Sequence, residues 1–152
     1  MELELKHIAP YLPYRLKMVY QEFSNGEIPI LQHEKNVTLV GIRCEDESIV
    51  KLKVSEFWDS EAIWQFKPLL KTLSKFGDSD DLRKVHEFIG IGKWCPLYDE
   101  YFDIWFKDLA NIDKLILQAP QEIFNYFLAN HYDVFSLIPQ NLAIAEMPFI
   151  LS

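Results

Sequence analysis

The chain is poor in the residues that staple a fold, cradle a phosphate or cross a bilayer. Only Cys44 and Cys95 stand among 152 residues. One possible bridge excludes a disulfide-dense secreted miniprotein and leads us to expect a reducing cytoplasm. Five glycines are too few and too scattered for a glycine-rich phosphate loop. Gly90-Ile-Gly92 follows a helical pattern rather than a strand, so it reads as a turn and not as a dinucleotide fingerprint. No apolar run approaches the roughly 20 residues of a membrane span. The charged opening MELELK lacks signal-peptide character, and the apolar tail at 147–152 is far too short to anchor the chain. Basic charge is also short: 15 Lys and Arg face 23 Asp and Glu, a formal net of −8. Such a surface repels phosphate backbones, which argues against general nucleic-acid binding. The expectation is a cytoplasmic protein with no membrane segment.

What the chain does have is apolar mass. Hydrophobic residues make up 49 %, with 11 Phe, 7 Tyr and 4 Trp, enough for one core in one domain with rings left over for a binding surface. No linker, repeat or low-complexity tract divides residues 1–152. The acid excess is uneven. Residues 1–53 are nearly balanced at −1, whereas residues 54–152 carry −7.

The pattern runs from strands to helices, the α+β order. Residues 2–12 read as a short helix stopped by Pro10 and Pro13. From Arg15 to Tyr20 polar and apolar residues alternate, a strand signal. Asn25-Gly26 is a hairpin cue, and the segment from Ile28 to Leu31 resumes an extended course with Pro29 at an edge or bulge. A β-branched stretch over 36–44, an acidic turn over 45–48 and alternation over 49–54 complete a meander. Residues 14–54 thus read as three or four antiparallel strands twisted like a small open barrel, within a mainly β part at 1–54. Residues 55–66 hold Trp58 and Trp64 between acids. Residues 66–76 fit either a strand or a short helix. A mainly helical part follows at 78–140. One helix is capped at Asp78 or Ser79 and ends at Gly90 and Gly92. A second runs from near Pro96 to about Leu109, and a third opens at Pro120. Asp133 to Ile138 reads as one more helical turn, and Leu142-Ala-Ile144 as a final extended piece. Three to four helices packed on the meander is the expected architecture.

Chemistry is sparse. His7, His33, His86 and His131 show no metal-ligand spacing, so no metal and no cofactor is expected. Cys95 precedes a helix start, a place that lowers a thiol pKa, which makes it the one thiol with a nucleophile reading. A small buried apolar residue is the plainer account. His86 with Glu87, and His131 near Asp133, form two formal acid–base pairs that surface or capping roles explain equally. Asp99, Glu100, Asp103, Asp108 and Asp113 invite comparison with a two-metal site, but Asp99 and Asp103 lie one helical turn apart on a single face rather than on converging elements. The stripe of Leu97, Tyr98, Tyr101, Phe102, Ile104, Trp105, Phe106 and Leu109 is wider than one core face requires, so part of it meets another element or a partner.

Three stretches in order carry a resemblance. His7-Ile-Ala-Pro-Tyr-Leu-Pro-Tyr-Arg-Leu-Lys17, Phe66-Lys-Pro-Leu-Leu-Lys-Thr-Leu-Ser74 and His131-Tyr-Asp-Val-Phe-Ser-Leu-Ile-Pro-Gln-Asn-Leu-Ala-Ile144 resemble a family of small phage and prophage proteins of Bacteroidetes. The chain departs from that family's pattern at Arg15 and Ser136, where the family has Gly, and at Asn141. The family has no assigned activity or catalytic residues, so the resemblance implies a genomic setting. Small, acidic, cofactor-free proteins of mobile elements often bind and block a host machine, and anti-CRISPR proteins are the best-known class. The setting therefore implies a non-enzymatic inhibitor of a host protein, such as an RNA-guided, RNA-targeting CRISPR effector nuclease or its ribonucleoprotein. A regulatory or structural adaptor for another phage protein is the second reading. An enzyme using Cys95 or the carboxylates comes last. For the inhibitor, Trp94, Tyr98, Tyr101 and Trp105 are the expected partner-binding anchors, and Asp99, Glu100, Asp103 and Asp108 the steering charges.

Overall fold

A computed structural model describes residues 2–24, 30–46, 49–57, 60–90 and 92–146. Asn25, Gly26, Ile28 and Pro29, the Glu47-Ser48 part of the acidic turn, Trp58, Ile91 and the apolar tail from Met147 lie outside the described residues.

The architecture is α+β. A short helix α1 (Leu5–Ile8) runs into a six-residue 3-10 stretch, Ala9–Tyr14, which contains both Pro10 and Pro13 rather than stopping at them. Five strands follow closely: β1 (Lys17–Phe23), β2 (Leu31–Asp46), β3 (Ile49–Val54), β4 (Glu61–Ala62) and β5 (Phe66–Leu70). β6 (Ile144–Ala145) joins from the far end of the chain. The sheet order is β4-β3-β2-β1-β5-β6. All pairings are antiparallel except β5 with β6, which run parallel through Leu69↔Ile144 and Leu70↔Ala145.

Chain length dictates that this sheet curls. In a flat sheet β4 and β5 would stand four strand spacings, about 19 Å, apart. Only Ile63–Gln65 separates them, and from Ala62 to Phe66 an extended chain spans at most about 14 Å. The open sheet is therefore strongly curled, with β4 brought towards β5. β2 serves both halves. Residues Leu31 to Thr38 pair with β1, and Leu39 to Asp46 pair with β3, with register shifts between Leu39 and Gly41 and between Cys44 and Asp46. The two extended pieces expected at 28–31 and 36–44 are thus one strand from Leu31 onward, bent at a bulge.

The ambiguous stretch 66–76 is both things in turn. β5 buries Phe66, Pro68 and Leu70 and turns Lys67 and Leu69 outward, and Leu73–Lys75 forms a 3-10 turn. Four helices then cover the curl: α2 (Ser79–Ile89), α3 (Pro96–Lys107), α4 (Ile112–Leu115) and α5 (Gln121–Ala129). α2 starts where Asp78 accepts the Asp81 N–H at 2.8 Å while the Asp81 carboxylate accepts from Gly77 N and Asp78 N, a reciprocal cap. It ends at Gly90, whose φ of 98° suits a residue without Cβ.

One core joins sheet and helices. Met18, Leu39, Leu52, Val54 and Leu70 from the strands meet Val85, Trp105, Ile116, Ile123 and Phe127 from the helices. Phe76 sits at its aromatic centre, within 5.0–5.9 Å of the rings of Phe127, Phe102 and Trp105. The helical turn expected at 133–138 is a series of turns instead. Ser136 takes a left-handed φ of 55°, which no α-helix accommodates. Asp133 holds the turn by accepting the Leu137 and Ile138 N–H groups at 2.8 and 2.9 Å.

Candidate functional site

α3 begins where Cys95 takes an extended conformation and Pro96 fills the first helical position, whose missing N–H costs nothing there. At about 100° per residue, Phe102 and Trp105 point to the core, where both are buried. Asp99, Glu100 and Asp103 fan over an arc of about 100° on the opposite side, and all three are exposed. Asp108 caps the end of the helix, also exposed. Its N–H donates to the Ile104 carbonyl at 3.1 Å, and its carboxylate accepts from Asn111 Nδ2 at 3.0 Å. The four steering acids thus stand in solvent along one helix, with Lys107 as its only base.

The aromatic anchors are placed differently. Trp105 is a core residue, stacked on Phe127 with ring centroids 5.3 Å apart, and is not a partner contact. Its pattern position could not reveal this, because a helix wrapped around Phe76 recruits rings for its inner face. Trp105 Nε1–H has no acceptor among the described residues. Trp94, Tyr98 and Tyr101 are half-buried and bonded internally. Trp94 donates its indole N–H to Asp99 at 2.9 Å and lies between the His86 ring and Phe102, the His86 centroid 3.5 Å away. Tyr98 donates to Glu122 at 3.2 Å, and Tyr101 to the Leu115 carbonyl at 2.7 Å. Burial pushes the Tyr98 and Tyr101 hydroxyls above the usual phenol range, so both stay protonated donors. What the helix leaves most open to water is aliphatic, Leu97 and Ile104, with Leu109 just beyond its end, while Phe106 is the one ring of α3 that is also exposed. The unusual width of the apolar stripe was the sequence signal for these residues, although the rings in the same stripe were the more conspicuous choice.

The groups with catalytic readings each have their own surroundings. Cys95 is a free, half-buried thiol at the start of α3. His86 stacks on Trp94, while its neighbour Glu87 pairs with Arg83. His131 donates from Nε2 to the Tyr14 carbonyl at 2.7 Å, and His7 Nδ1 accepts the Glu4 N–H at 3.0 Å. Burial in the first place, with Lys6 nearby, lowers the His7 pKa. His131 and Asp133, two residues apart, serve different backbone groups. Asp113 lines a cleft of about 250 Å3 with Thr72, Ser74, Asp133 and Ser136, away from the acids of α3. Among the described residues no three His, Cys, Asp or Glu side chains gather as a metal ion requires, and no helix is long and apolar enough to cross a membrane.

No protein-family model, curated protein or solved structure matches the chain.

Proposed function

We propose that this chain is a non-enzymatic, protein-binding inhibitor that docks the acidic crest of α3 on a basic surface of a host defence nuclease. The observation that carries the reading is the arc of Asp99, Glu100 and Asp103, held in solvent on a helix whose opposite side is locked into the core through Phe102 and Trp105. Fixed acids of one sign steer association with a basic cleft and lose little side-chain freedom on docking. The nucleic acid such a cleft normally holds is mimicked in charge.

The phage setting rests on the three-stretch resemblance. Arg15, Ser136 and Asn141 have φ values of 54°, 55° and 60°, in the region that glycine occupies most readily. Two of them are the positions where the family has Gly, and backbone demand at those positions supports the resemblance. An RNA-guided nuclease of a Bacteroidetes host is the target class this setting favours.

The test is affinity capture of the tagged protein from a Bacteroidetes lysate, with mass spectrometry and RNA sequencing of what is retained. A nuclease or ribonucleoprotein whose cleavage is reduced by the added protein supports the proposal. Phage proteins alone would transfer it to the adaptor reading.

A further inference from the structure

α3 offers a second kind of contact beside its charge. Leu97 and Ile104, seven residues apart, lie within about 20° of each other on the helix, on the flank between Glu100 and half-buried Tyr101. They are 66 % and 54 % exposed. Tyr101 turns to the neighbouring segment, where its hydroxyl meets the Leu115 carbonyl. Leu117, two residues further on, is 61 % exposed, and Leu109 beyond the helix end is 55 % exposed. Single exposed aliphatics are ordinary, but two large ones in line along one helix, edged by the acids of the same helix, form a seam that marks an interaction surface.

We propose that this seam receives an amphipathic helix of the partner protein. Its apolar stripe lies on Leu97 and Ile104, and its Lys- or Arg-bearing flank faces Glu100 and Asp103. The proposal rests on the reading of α3 as the docking face and deepens it by naming what docks. A seven-residue spacing of aliphatics is the spacing at which two helices mesh over two turns, and α3 presents about 18 Å for the contact. Charge selects among occupants. A nucleic acid is repelled by the acids, and a purely basic loop leaves the aliphatics in water. A second copy of this chain would set Glu100 and Asp103 against themselves.

The full chain is titrated with a fluorescent helical peptide of about 18 residues carrying Leu at three- and four-residue spacing and Lys elsewhere. A Leu/Glu counterpart and an oligolysine of equal length serve as comparisons. The Leu/Lys peptide is expected to bind at about 0.15 M salt, and oligolysine to bind roughly tenfold more weakly. The double substitution Leu97→Gln, Ile104→Gln keeps the charge and weakens the peptide roughly tenfold without moving the melting temperature. The control pair Ile30→Gln, Val40→Gln on the sheet leaves binding unchanged. Equal affinity for oligolysine overturns the proposal. So does insensitivity to Leu97→Gln, Ile104→Gln, or a dimer of this chain that the same pair abolishes. If a host nuclease is captured by this pair as well as by wild type, yet lost on charge reversal of Asp99, Glu100 and Asp103, the docking face stands and the helix partner falls. If capture survives both, the docking face itself falls.

Discussion

The Tyr11 hydroxyl donates to the Tyr132 carbonyl across 121 residues of chain and accepts the Val134 N–H at 3.3 Å. This contact ties the 3-10 stretch before β1 to the turn that leads into β6, so both ends of the described chain close on the same core. Burial keeps the phenol protonated and able to donate. Tyr11→Phe keeps the ring but takes one partner from the Tyr132 carbonyl and the Val134 N–H, which still bond each other at 3.0 Å, and is expected to cost about 0.5–1.5 kcal/mol. Urea denaturation measures it; an unchanged midpoint would mean the hydroxyl is dispensable.

The left-handed residues give a prediction of the opposite sign. Arg15→Gly and Ser136→Gly relieve a side chain held at positive φ and are expected to stabilise by about 0.5–1 kcal/mol each. Asn141→Gly is expected to gain less, because Asn tolerates this conformation and its Oδ1 accepts from Lys67 Nζ at 3.3 Å. Thermal melts of the three variants check the order.

Asp133 sets a pH dependence. Its carboxyl is buried, and burial raises its pKa above the ordinary 3.8, partly offset by the Ile138 and Leu137 N–H groups. The native state therefore holds this proton more tightly than the unfolded chain. Its contribution is fully present below the unfolded value and is lost as pH rises through the folded one. Relative to Asp133→Asn, the wild type is expected to lose stability as pH rises from about 4 through that window. Denaturation midpoints of the two proteins across pH check this; parallel curves would contradict it.

Trp105 carries into the core an N–H that has no acceptor among the described residues. Trp105→Phe removes both indole bulk and the stranded donor, so the two effects oppose, and a cost under about 1.5 kcal/mol is expected. Trp105→Ala leaves a cavity and is expected to cost about 3–5 kcal/mol. Calorimetry of the two variants separates these values. Neither is expected to change partner binding beyond its effect on folding.

Local signals were strong where one residue type decides the outcome. Asp78, Gly90 and Pro96 mark the limits of α2 and the start of α3, alternation marks β1 and β3, and a β-branched run marks the later part of β2. Signals failed where distant residues decide. β6 exists because Leu69 and Leu70 offer an edge some 75 residues away. The turn at 133–138 keeps helix-compatible apolar residues but is broken by Ser136 backbone geometry. On α3, composition announced an aromatic, acidic surface, and the acids are there. The rings of Trp94, Tyr98, Tyr101 and Trp105 are drawn inward by Phe102, Phe127 and their own hydrogen bonds, and Leu97 and Ile104 take the outer position.

The most direct test of the docking face compares wild type with the triple variant Asp99→Lys, Glu100→Lys, Asp103→Lys in quantitative capture from host lysate, after matching their melting temperatures. The account predicts that a nuclease or its ribonucleoprotein is enriched on wild type and lost from the variant. The same proteins retained equally by both would contradict it.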